Sequence, residues 1–169
     1  MRLSTRSELG LMAVSSAGLV VSGFIIGELY KLHPCPLCIF QRLLYIVIAI
    51  FALAGVALPR WHRVWAALTG LTAAGGIATA LYQSWLQLAP DVSKACGFGE
   101  PTLIEQLVDW LGMQWPTLFM ATGFCSSKEW VFLGFSMANW SILCFAGLLL
   151  LSLWLLLKRD SVRSLAILP

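Results

Sequence analysis

LLYIVIAIFALAGVAL (residues 43–58) carries no charged side chain and can be extended upstream through Cys38, Ile39 and Phe40. Its length approaches the roughly 20 residues that a helix needs to cross about 30 Å of hydrocarbon. It shows no period-two alternation, so a helix is the reading. A helix also pairs all its backbone polar groups internally, as lipid demands. Three further runs have the same character, at 11–30, 64–82 and 140–157. The chain has 169 residues, 59% hydrophobic and only 11% charged, against roughly 25% charged for a soluble domain. An all-α membrane protein is expected, a single domain built as a four-transmembrane-helix bundle. The first run follows Arg2 and Arg6 but is longer than the roughly 7–15 apolar residues of a signal peptide, so a retained span is expected. The formal net charge is +3, with no basic patch interleaved with aromatics, which argues against nucleic acid as a partner.

Seven of the eleven basic residues fall into three short segments: Arg2 and Arg6, then Arg60 and Arg63, then Lys158, Arg159 and Arg163. The other four, Lys31, Arg42, Lys94 and Lys128, are spread over much longer stretches. By the positive-inside rule both termini and the 59–63 turn are cytoplasmic. The segments 31–42 and 83–139 then face outward, which in a bacterium means the periplasm. Cys35 and Cys38 lie in the first of these and Cys96 and Cys125 in the second, so four cysteines are placed on the oxidising side, where disulfides persist.

The second outward segment is far longer than the roughly 12–15 residues beyond which structureless loops become uncommon. Asp, Pro, Ser and Gly around Cys96 predict a mobile turn. In TLIEQLVDWLGMQW, Leu103, Ile104, Leu107, Val108 and Leu111 recur at helical spacing, with Glu105, Gln106 and Asp109 opposite. This is a short amphipathic helix, expected to end at Gly112 and Pro116, whose apolar face with Trp110 and Trp115 suits a membrane interface or a partner. Two rows of mostly small residues in the third run, Gly70, Ala74, Ala78 and Leu71, Gly75, Thr79, suit close helix packing.

Cys35-Pro36-Leu37-Cys38 is a C-x-x-C motif, compatible with half a zinc site, a redox pair or a structural staple. Zinc would need Cys96 and Cys125 as further ligands. Those two are 29 residues apart and lack the second close C-x-x-C that makes zinc spacing specific. Pro36 suits the first turn of a helix, so the second span is expected to begin within CPLC. Cys38 then sits near a helix N-terminus, whose partial positive charge favours a thiolate. Arg42 follows at i+4 on the same face. Such a dithiol at the bilayer rim is placed to hand electrons to an apolar acceptor dissolved in the membrane, a quinone being the obvious class. A mobile Cys96 could meet a soluble partner, and the same loop could carry Cys125 to Cys35.

PCPLCIFQR (34–42), the LQLAP…C run (86–96) and ATGFCSSKEWVFLGFSMANW (121–140) closely resemble the DsbB family of bacterial disulfide bond formation proteins. Together with the four-span layout the resemblance covers nearly the whole chain. It implies an inner-membrane, quinone-dependent thiol oxidase that reoxidises a periplasmic DsbA-like dithiol. Cys96 and Cys125 would form the loop disulfide, with Cys96 joining the partner. Cys125 would exchange with the Cys35–Cys38 disulfide through Cys35. Cys38 would face ubiquinone (or menaquinone), with Arg42 supporting its reduction. Where the best-known members carry a histidine near the quinone, the nearest match here is Gln83, which is expected to hydrogen-bond a quinone oxygen. His33, beside Cys35, is expected to be solvated, and Cys144 to be an apolar filler of the fourth helix. Two other readings compete: a vitamin K epoxide reductase-like oxidoreductase, in which the C-x-x-C is expected late in the chain, and a non-enzymatic membrane protein with structural disulfides.

Overall fold

The computed structural model describes residues 5–88, 102–127 and 130–158. Among these, four helices are long and apolar enough to cross a membrane: α1 (Thr5–Leu29), α2 (Pro36–Ala57), α3 (His62–Leu88) and α6 (Met137–Leu157). Only 22% of the most apolar window of α1, and the same share of α6, is buried within the chain. So much outward apolar surface suits lipid rather than water, and the chain is a multi-pass membrane protein. Between α3 and α6 lie α4 (Leu103–Gln114), the one-turn α5 (Pro116–Phe119) and a hairpin of β1 (Val131–Phe132) and β2 (Phe135–Ser136).

The boundaries follow local chemistry. Lys31, at φ 48°, turns the chain out of α1, and the Leu32 N–H closes back on the Gly27 carbonyl at 2.9 Å. Pro36 occupies the first turn of α2, with Cys35 as its N-cap. A 3-10 turn, Pro59–Trp61, leads into α3. Thr102 and Glu105 form a reciprocal capping box at the start of α4. Gly112 does not end α4, which continues to Gln114; Pro116 instead opens α5. At Gly112 an added Cβ would come within 3.1 Å of the Phe119 carbonyl oxygen, so glycine lets the α5 turn fold back against α4. α4 buries Val108 and Leu111 against Ile39 of α2 and leaves Leu103, Trp110 and Met113 exposed.

α2 packs between α1 and α3, α3 packs along α6, and α1 meets α6 only thinly. Tyr45 of α2 stacks on Phe145 of α6 with ring centroids 4.0 Å apart. Phe145 in turn lies over Gly76, where a Cβ would fall 2.5 Å from the ring. The Ser152 hydroxyl donates to the Ala66 carbonyl beside Gly70. The packing face of α3 is therefore Ala66, Thr69, Gly70, Ala73, Gly76, Thr79 and Ala80, while Ala74, Gly75 and Ala78 face outward. Rows spaced strictly by four drift around a helix with 3.6 residues per turn. At the far end of the bundle from the cysteines, Lys158 Nζ pairs with the buried Glu8 carboxylate at 3.0 Å, joining the start of α1 to the end of α6.

Gly76→Ala should lower the thermal unfolding midpoint in detergent by the equivalent of about 1–3 kcal/mol, because Phe145 must move. Gly75→Ala, which meets nothing within 4 Å, should leave the midpoint unchanged or slightly raised. Equal behaviour of the two would contradict this packing.

Candidate functional site

The Cys35 backbone is extended (φ −82°, ψ 163°) and its Sγ accepts the Cys38 N–H at 3.4 Å, the bond of an N-cap residue to the third residue of its helix. This capping draws the two sulfurs together, and the Cys35 thiol donates to Cys38 Sγ at 3.1 Å. Both are free thiols here, as are Cys125 and Cys144. α3 approaches from the side. Gln83 Nε2 donates to Cys38 Sγ at 2.9 Å and to Cys35 Sγ at 3.4 Å. Gln83 Oε1 accepts from Gln41 Nε2 at 2.7 Å, and both glutamines are buried.

The third cysteine is delivered by the returning chain. Thr122 N–H and Gly123 N–H both donate to the Pro34 carbonyl, at 3.0 and 3.1 Å. The chain passes so close that a Cβ on Gly123 would overlap the His33 carbonyl oxygen. One turn beyond Gln83, Gln87 anchors this segment: its Nε2 donates to the Ser127 carbonyl at 3.3 Å and its Oε1 accepts from Ser136 Oγ at 2.8 Å. Cys125 is thereby buried in one cluster with Cys35, Leu37 and Leu86. The neighbouring Cys35 thiol lowers the Cys125 thiol below its ordinary range; burial opposes this and the Leu37 N–H reinforces it. Cys35 is correspondingly pushed far upward by its hydrogen bonds to Cys125 and Cys38 and by burial. Of the two sulfurs, Cys125 is therefore the one that gives up its proton more readily.

Arg42 lies one turn into α2 from Cys38, and its Nη1 donates to the Leu118 carbonyl of α5 at 3.3 Å. Two cavities meet at Cys38 and Arg42. One, about 580 Å³, is lined by Cys35, Gln83, His33, Phe124 and Trp130. The other, about 750 Å³, occupies the thin α1–α6 seam, with Val20 and Gly23 on one wall and Met137 and Cys144 on the other. Cys144, expected as filler, therefore borders a cavity, and His33 is exposed at the rim of the other. Of the residues singled out in the sequence, Cys35, Cys38, Cys125, Arg42 and Gln83 come together; Cys96 lies outside the described residues. Gln41, Gly123 and Gln87 escaped the sequence reading. Gln41 did leave a signal, since a polar side chain in an apolar span is costly and calls for a partner.

Residues 5–155 match the sequence model of the family described as Disulfide bond formation protein DsbB. The chain is 45% identical over 159 residues to the Disulfide bond formation protein B of Dechloromonas aromatica, covering 94% of this chain and 96% of that relative. It is 39% identical over 146 residues to the protein of the same description from Azoarcus sp., covering 85% and 87%. With that of Aromatoleum aromaticum the identity is 38% over 161 residues, covering 92% and 95%.

Because the Cys35 thiol is the main cause of the lowered Cys125, Cys35→Ala should move the pH profile of Cys125 alkylation upward. The thiolate exists above its pKa, so Cys125 should label more slowly near neutral pH in the variant. Peptide mass spectrometry after timed iodoacetamide labelling reads this, and an unshifted profile would disprove the assignment.

Proposed function

Because the chain belongs to the DsbB family, we propose that it is an inner-membrane thiol oxidase that reoxidises a DsbA-like periplasmic dithiol and passes the electrons to a membrane quinone. The observation that carries this reading is the position of Cys35, hydrogen-bonded to Cys38 at 3.1 Å on one side and packed with Cys125 on the other. One sulfur within reach of two others is what a disulfide relay requires. A staple needs only one partner.

In the proposed sequence the partner's thiolate attacks Cys96 of a Cys96–Cys125 disulfide, and Cys125 leaves with the electron pair. Cys125 then bonds to Cys35, breaking the Cys35–Cys38 disulfide and releasing Cys38 as a thiolate. The partner's second thiolate then attacks the partner's own sulfur in the mixed disulfide and expels Cys96 as a thiolate, which releases the partner oxidised, its two electrons now held on this chain. The lowered Cys125 suits the attacking sulfur, and the Leu37 N–H at the start of α2 steadies its charge.

The cavities suit a quinone. Their walls are largely apolar, and Cys38 and Arg42 border both. A quinone there, ubiquinone or menaquinone, supplies the acceptor for two electrons and two protons. Cys38 would face its ring, and Arg42 would donate to a carbonyl oxygen. Gln83 has two amide hydrogens, and the one directed at Cys35 becomes available to such an oxygen when Cys35 bonds to Cys125. The basic residues Arg6, Arg60, Arg63 and Lys158 belong to the cytoplasmic end in this reading, which places the cysteine end in the periplasm.

The purified chain with a short-tailed ubiquinone should oxidise a reduced DsbA-like partner, and Cys38→Ser should abolish quinone-dependent turnover. A partner lacking its resolving cysteine should be trapped on Cys96. Normal turnover by Cys38→Ser would refute the relay.

A further inference from the structure

We propose that Gln41 is a positioning residue: by donating its amide hydrogen to the Gln83 oxygen, it holds Gln83 with its nitrogen, rather than its oxygen, against the Cys38 sulfur. A glutamine amide is nearly symmetrical in shape and opposite in polarity at its two ends. A half-turn of the Gln83 amide would fit the same space and set Oε1 against Cys38. A protonated thiol could accept that arrangement by donating to the oxygen, whereas a thiolate would be repelled by it. The 2.7 Å bond from Gln41 decides between the two. Gln41 follows Cys38 by three residues, hence on the same face of α2, so Gln83 of α3 meets both at once. Both side chains are almost fully enclosed, at 4% and 2% exposure. In such surroundings a reversed Gln83 amide would set two NH2 donors face to face without water to relieve them.

Neither amide titrates, so the pair offers Cys38 the same donor at every pH. The titratable or charged groups around it are Cys35 and Arg42 at the start of α2, and Cys125 of the returning segment with Glu105 of α4 acting on it. His33 lies at the rim, and Tyr45 and Cys144 lie in the seam. α3 offers the cavity only the neutral Gln83 and Gln87, and α1 offers it Gly23 and Gly27.

The inference rests on the reading of Cys38 as the sulfur that delivers electrons, but its test needs neither partner nor quinone. The full chain, reduced and in detergent, is labelled with iodoacetamide from about pH 5 to about pH 9, a range spanning reactive thiols, and Cys38 is followed by peptide mass spectrometry. Gln41→Met should slow labelling near neutral pH by about tenfold, the worth of one hydrogen bond to a charged group. It should also move the profile to higher pH. Gln41→Glu, whose carboxylate accepts but cannot donate, should do the same, which guards against a packing fault peculiar to one variant. Gln83→Met should match them, and Gln41→Met added to Gln83→Met should slow labelling no further, because Gln41 acts only through Gln83. Parent-like labelling in both Gln41 variants, or additive losses in the double variant, would overturn the proposal. Failure of the parent to turn over quinone would instead remove the proposed function and leave this result standing.

Discussion

The Cys38 N–H pointing at Cys35 Sγ is a helix cap, and it sets the geometry of everything around it. A helix beginning at the edge of a membrane has N–H groups that no earlier residue can satisfy. Here sulfur satisfies one of them, since Cys35 takes the Cys38 N–H, and Cys125 packs in the same cluster as Leu37. The C-x-x-C spacing is thus the spacing from N-cap to third helical residue, and Pro36 between them costs nothing because its missing N–H would have gone unused. The same helix end that is capped by the Cys35 sulfur turns its positive pole toward it.

Around that cap the chain is tight on some sides and open on another. α3 closes one side with Gln83 and, a turn further on, fastens the returning segment with Gln87. The returning segment is registered by its two bonds to the Pro34 carbonyl, an approach only glycine at 123 permits. Lower in the bundle, Gly76 lets Phe145 sink onto α3 and stack on Tyr45, so that α2, α3 and α6 make one rigid wall. α1 is not drawn into that contact. The seam it leaves against α6, with Gly23 in its wall, holds a cavity that Cys38 and Arg42 border.

The four helices were readable because an apolar run of membrane length leaves a chain few alternatives. Their ends were less so. The apolar run 64–82 ends where hydrophobicity ends, but α3 continues to Leu88, since hydrogen bonding along a helix does not stop where the side chains become polar. That extra length carries Gln83 and Gln87. The helical start within CPLC was legible from Pro36, and the grouping of Cys35, Cys38 and Arg42 followed from it. The contact of Cys125 with Cys35 could be expected only as a loop reaching a helix end. Its actual means, Gly123 against His33, is a long-range fit with no local signature. The amide pair was hidden for a similar reason: Gln41 and Gln83 lie 42 residues apart, and each alone reads as an isolated polar residue in an apolar helix.

Arg42 shows how a charge can be kept so close to lipid. An arginine within a span is expensive and must be engaged by the chain or by a polar cavity. Its guanidinium has five donors in a fixed plane. One holds the Leu118 carbonyl and with it the α5 turn, so the cation also clamps the segment that leads to Gly123 and Cys125. The cation borders both cavities as well. A lysine would supply the charge but not a planar fork able to serve two directions at once. The residue is therefore tied to the site twice, through the backbone that positions the third cysteine and through the space beside the second, and loosening either tie would disturb the other.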